Sequence, residues 1–131
     1  ISEIVTYMSE ENLIQELDRI DAMARAASQM VTQSVDAYVK KDLDLAKKVI
    51  EDDDAVDRLF EEIKRELIKM IAADPGCGEQ ALDFLMIAKY LERIGDHATN
   101  IAEWVEFSIL GRHPEQDEIH GVEDRQNPSE R

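Results

Sequence analysis

The sequence predicts an all-α protein, an antiparallel three-helix bundle. Two observations carry that expectation. Apolar residues recur at three-and-four spacing through three long segments, and those segments are separated by only two short turn signals. Composition agrees: the chain is poor in aromatics (5%) and rich in Ala, Leu, Ile, Met, Glu and Asp. Alternation of the strand type is absent from the sequence.

The first segment runs from about residue 12 to residue 40. Leu13, Leu17, Ile20, Met23, Ala24, Ala27, Met30, Val31, Val35 and Tyr38 form its predicted buried face. "KKDLD" breaks the pattern and places Asp42 as N-cap of the next helix. The second segment, about 43–73, turns Leu45, Val49, Ile50, Val56, Leu59, Phe60, Ile63, Leu67 and Ile71 inward. "DPGCG" ends it, because Pro75 cannot continue a helix and Gly76 and Gly78 suit a reversal. The third segment, about 79–110, is expected to bury Leu82, Leu85, Met86, Tyr90, Ile94, Ile101, Val105 and Ile109 before Gly111 stops it. Each helix is about 45 Å long at 1.5 Å per residue. The bundle therefore spans 12–111. Residues 112–131 are polar, contain two prolines and lack an apolar period, as expected of a disordered tail. Residues 1–11 carry helical spacing for two turns only and read as the end of a preceding helix. The start on Ile1 rather than Met is expected of a fragment.

The formal charge of −15 argues against nucleic acid and anionic lipid as partners, since both are negative. It favours basic protein surfaces or cations. Cys77 is the single cysteine, so neither an internal disulfide nor a cysteine metal site is expected. No apolar run approaches the ~18 residues a membrane span needs, and no basic-then-apolar leader opens the chain. A cytoplasmic protein is the expectation.

Two acidic pairs stand out. Asp53 and Asp57 are four apart on the second helix, Glu92 and Asp96 four apart on the third. Such spacing puts like charges on one face, which costs a helix a few tenths of a kcal/mol. Glu92, Asp96, Asn100 and Glu103 continue the third-helix stripe, and Gly95 sits within it. Two pairs facing one another across neighbouring helices would repel unless a cation joined them. An all-oxygen ligand set selects hard cations: iron, Mn, Mg or Ca. Gly95 would then remove a side chain beside the site. Asp36 is a further candidate ligand from the first helix. A ferritin-like di-iron site needs Glu-x-x-His, and none of the three histidines has Glu three residues before it. Against all of this, acidic runs on helices are most often solvated faces, favoured near helix starts by the dipole.

"LERIGDHATNIAE" (residues 91–103) and the earlier "VIEDDDAVDRLFEEIKREL" resemble the motifs of the PhoU family of phosphate transport regulators, and "DAYVKKDLDLA" resembles its first turn. The similarity covers residues 13–110. It implies two tandem three-helix repeats in family members, of which this chain holds one, most like the C-terminal repeat, with residues 1–11 similar to the inter-repeat junction. It implies a multinuclear iron or other metal cluster at Asp53, Asp57, Glu92 and Asp96, with Asn100 and Glu103 as outer candidates. It further implies regulation rather than catalysis, bridging a phosphate ABC transporter and its ATPase to a sensor histidine kinase at the inner face of the membrane. A related domain stands at the cytoplasmic end of sodium–phosphate cotransporters. A metal-dependent hydrolase or oxidase is the contrasting reading, but the motifs place no general base and no phosphate-binding glycine loop. Whether the chain forms a homodimer is open at this level.

Overall fold

The computed structural model describes residues 5–111. Three helices follow in order: α1 (Glu10–Lys40), α2 (Leu43–Ala73) and α3 (Gly78–Leu110), with a single 3-10 turn at Pro75–Cys77 before the last. All three pack against one another, so α1 and α3 run parallel and α2 runs antiparallel to both.

Local chemistry fixes the ends. Ser9 caps α1, its hydroxyl accepting from the Asn12 amide at 3.1 Å, which starts the helix two residues earlier than its apolar period. Lys41 leaves it in the left-handed region at φ 53. Asp42 caps α2 as expected, accepting from the Leu45 amide at 3.1 Å. Asp74 ends α2 and serves both sides of the turn. Its Oδ1 accepts from the Gly76 amide (3.0 Å) and its Oδ2 from the Thr6 hydroxyl (2.6 Å). Gly111 stops α3 at φ 82, where a side chain would be strained.

Residues 5–9 are not helical. They lie along the α2–α3 turn instead: the Thr6 amide donates to the Gly76 carbonyl (3.1 Å) and the Met8 amide to Gln80 Oε1 (2.8 Å). Of residues 1–11, residues 5–9 are thus non-helical, while Glu10 and Glu11 already belong to α1. Residues 1–4 and the tail, 112–131, lie outside the described residues.

The core is built from Met23 and Met30 of α1, Val49, Val56, Ile63 and Leu67 of α2, and a row of small residues on α3. That row is Ala81, Ala88, Gly95, Ala98 and Ala102, all buried. The expected inward face of α3 is therefore wrong at most positions. Leu82, Met86, Tyr90, Ile94, Ile101 and Ile109 are 36–58% exposed, and only Val105 of that set is fully buried. α3 is apolar on two faces. The larger side chains give the stronger period, but the smaller ones let the helices approach closely, and approach decides burial. The same correction applies in α1, where Leu17, Val35 and Tyr38 are exposed and Ala37 and Ser34 are buried. Cys77, in the turn between α2 and α3, is also buried.

Two carboxylic side chains are buried among the described residues, Glu106 of α3 and Glu16 of α1. Glu16 is fully buried, its Oε2 held by Arg19 Nη1 at 2.6 Å, and Arg19 Nε reaches Glu62 Oε1 on α2 at 3.1 Å. Glu16 Oε1 has no partner, and burial pushes this carboxyl up despite the guanidinium. Removing one partner of such a pair is costly, while replacing the charge by an apolar side chain is often neutral or stabilising. Arg19→Ala should thus destabilise by about 2–3 kcal/mol and Glu16→Met by less than about 1, or not at all. Urea unfolding measures both. Equal losses would show that the pair, rather than the stranded carboxylate, carries the effect.

Candidate metal centre

Asp53 and Asp57 project from α2 toward α3, one turn apart, because their spacing puts them on one face. Asp96 reaches them from α3. One carboxylate oxygen from each of Asp53, Asp57 and Asp96 lies within 4.8 Å of the others. The first two are half-buried and Asp96 is exposed, so the group opens to solvent at its α3 edge.

The electrostatics are unfavourable without a counter-ion. Burial, and then the charges of Asp57 and Asp96, raise the Asp53 carboxyl from 3.8 to about 6. Burial raises Asp57 as well, followed by Glu92, Asp96 and Asp54. Asp53 Oδ1 is buried and has no hydrogen-bond partner. A buried carboxylate oxygen without a donor is destabilising unless a proton or a cation meets it. The oxygen-only donor set fits a hard cation, and the orphaned Oδ1 gives the fit a position.

The remaining predicted residues fall in three places. Glu92 lies beside Asp57, close enough to share a hydrogen bond with it, but is not within 4.8 Å of all three aspartates. Lys89 Nζ holds Glu92 Oε1 at 2.7 Å, and the same ammonium sits 5.2 Å from the Phe60 ring centroid. Asn100 lines a different feature, an apolar groove with Val35, Tyr38, Ile101 and Trp104. Helical geometry explains the separation: each step of four turns a side chain by about 40°, so Asn100 points about 80° away from Glu92. Asp36 and Glu103, both half-buried, do not join the carboxylate group.

Gly95 does stand at the site. A Cβ there would meet Val56 Cγ1 at 3.5 Å, Asp53 Oδ1 at 3.6 Å and Met30 Sδ at 3.7 Å. Those are ordinary contacts, so a methyl would fit; anything larger would push on the aspartate. Thr99 went unremarked in the sequence. Its hydroxyl donates to the Gly95 carbonyl at 3.0 Å; turned toward Asp53 instead, the same proton would lower that carboxyl against the causes that raise it. Its position three residues after Asp96 is the signal that marks it.

The raised Asp53 carboxyl has a consequence for stability. The unfolded chain releases this proton near 3.8 and the folded chain near 6. Between these values the folded state binds more protons, so stability falls as pH rises through the window and is level above it. At 1.36 kcal/mol per unit the loss is on the order of 2–3 kcal/mol. In chelator, Asp53→Asn should gain on the wild type from pH 4 to pH 6.5, followed by denaturant midpoint; a constant difference across that range would refute the assignment.

Comparison with known proteins identifies the family of the chain. A family model described as the PhoU domain matches residues 20–105. The "Phosphate-specific transport system accessory protein PhoU homolog" of Clostridium acetobutylicum is 40% identical over 90 residues, covering 69% of this chain and 41% of the relative. The Caulobacter vibrioides homolog is 37% identical over 106 residues (76% and 46%), and homolog 1 of Thermotoga maritima 32% over 124 residues (94% and 53%). The chain spans about half the length of the curated relatives it matches. The matched segment contains all of α2, most of α1 and α3 and every carboxylate of the α2–α3 group, and by that match the chain belongs to the PhoU family.

Proposed function

We propose that this chain is a non-catalytic regulator of phosphate uptake and of the signalling that represses the phosphate regulon, and that it carries a cation on its α2–α3 carboxylates. The observation that supports the regulatory role is the PhoU match over residues 20–105, together with relatives named as accessory proteins of phosphate-specific transport. On this reading the protein works at the inner face of the membrane. It bridges the ATPase of a phosphate ABC transporter and a sensor histidine kinase. No helix among the described residues is long and apolar enough to cross a membrane. A net charge of −15 suits docking to basic cytoplasmic surfaces and would steer association at low salt.

The metal reading rests on Asp53, Asp57 and Asp96, with Glu92 completing the set as Asp57's neighbour. Iron in a multinuclear cluster, or Mn, Mg or Ca, would meet the oxygen donors. Glu92 would have to leave Lys89 to bind directly. In its present rotamer it serves as a charge beside the site.

Elemental analysis of protein purified without chelator, with stoichiometry per chain, tests the metal. We expect at least one iron or manganese per chain. Asp57→Asn with Asp96→Asn should abolish uptake and leave helical circular dichroism unchanged. A blank wild type that stays blank after incubation with excess iron would reduce the carboxylates to a docking surface. Binding of the transporter ATPase, followed in the same buffers by biolayer interferometry, tests the partner. Undetectable binding with and without metal would remove the transporter from this reading.

A further inference from the structure

Of the acids Asp53, Asp57, Glu92 and Asp96, Glu92 alone is ion-paired among the described residues. Lys89 Nζ meets its Oε1 at 2.7 Å, and the same ammonium lies 5.2 Å from the centre of the Phe60 ring on α2. Phe60 stands three residues after Asp57, so the lysine spans the α2–α3 seam one turn from the carboxylate group. Glu92 is the more enclosed partner, its side chain 15% exposed against 50% for Lys89. A carboxylate so placed has left most of its water, and the ammonium takes over that role.

Helix stability by itself does not account for the pair. Lysine before glutamate is the weaker order on a helix, and a half-exposed pair contributes little in any case. Register is what distinguishes Lys89. Lys89, Glu92 and Asp96 follow one another at three and four, on the stripe that faces α2. Arg93 and His97 each come one residue after a stripe acid, turned away by about 100°, and both are exposed. The chain thus sets one positive charge in line with its acids and keeps the neighbouring bases out of line.

We infer that Lys89 is a built-in competitor for Glu92: it neutralises the seam acids when no metal is bound and yields Glu92 as a fourth carboxylate donor to a hard cation. This role rests on the metal reading proposed above. Without metal, the four acids have one ammonium among them, and Lys89 spends it on Glu92. With Glu92 given up, the ammonium keeps a seat at the Phe60 ring. A donor engaged elsewhere lowers the apparent affinity of a site by the fraction of time it is free. Lys89 therefore sets the cation concentration at which the site loads, and keeps weakly binding ions off it.

Calorimetric titration with Mn²⁺, an ion that accepts oxygen donors, tests this in the wild type and in Lys89→Met, which keeps the stem and removes the charge. Lys89→Met should bind Mn²⁺ about tenfold more tightly, the size of effect carried by groups that hydrogen-bond metal ligands. In chelator the same variant should melt about 2–4 °C below the wild type, because the acids lose their counter-ion. Saturating Mn²⁺ should erase or reverse that order. Lys89→Arg keeps the charge and should bind Mn²⁺ no more tightly than the wild type. In a Glu92→Gln background, Lys89→Met should change Mn²⁺ affinity by less than about twofold, since no carboxylate is left to compete for. A tenfold gain that persists in that background is plain charge repulsion and overturns the inference. Unchanged affinity in Lys89→Met, with the wild type loading normally, also overturns it and leaves the metal reading standing. Absence of Mn²⁺ uptake by both proteins, with helical circular dichroism intact, removes the metal reading and the role of Lys89 together.

Discussion

Close approach of α3 to its two neighbours is the constraint on which the rest depends. Ala81, Ala88, Gly95, Ala98 and Ala102 bring little volume to the core, so α1 and α2 supply it with Met23, Met30, Val49, Val56, Ile63 and Leu67. Interiors pack to uniform density, and a row of small side chains can satisfy that only by drawing the backbones together. Two consequences follow from this one condition. The α2 and α3 carboxylates are brought within reach of one another, and the bulky apolar residues of α3 are turned outward.

The acidic group is therefore not an independent feature laid over a finished bundle. A Cβ built at Gly95 would meet both Val56 and Asp53 Oδ1, so the backbone position that lets the core close also faces the aspartate. Burial heads the causes that raise both α2 carboxyls, ahead of their mutual repulsion. A buried oxygen with no donor is a local cost that stability elsewhere must offset. Proteins keep such costs where a ligand relieves them, and the proposed hard cation would relieve this one.

The bundle also sorts its charge. α2 presents acids and bases to solvent with few large apolar residues among them, whereas α1 and α3 present the reverse along their shared outer side. Glu16 and Arg19 add a polar link from α1 to α2 within the otherwise apolar packing, fixing how those two helices face one another.

By itself the sequence determined the number of helices, their turns, and the two acidic pairs. Caps and breakers act over a few residues: Asp42 accepts from Leu45, Pro75 and Gly111 end helices, and spacing of four fixes a shared face. It also carried the family, through motifs that are local strings. It did not determine which face of α3 is inside. Two apolar stripes compete on that helix, and a one-helix period favours Leu82, Tyr90 and Ile101 for their size. Only the distance to α1 and α2 selects the alanines. The same limit applied to the acidic stripe. Helical spacing placed Glu92, Asp96 and Asn100 in one line, but the 40° drift per step and the position of α2 decide that Asp96 meets Asp53 and Asp57 while Asn100 turns to the apolar groove. Intervals along a chain set local geometry; burial is a property of neighbours.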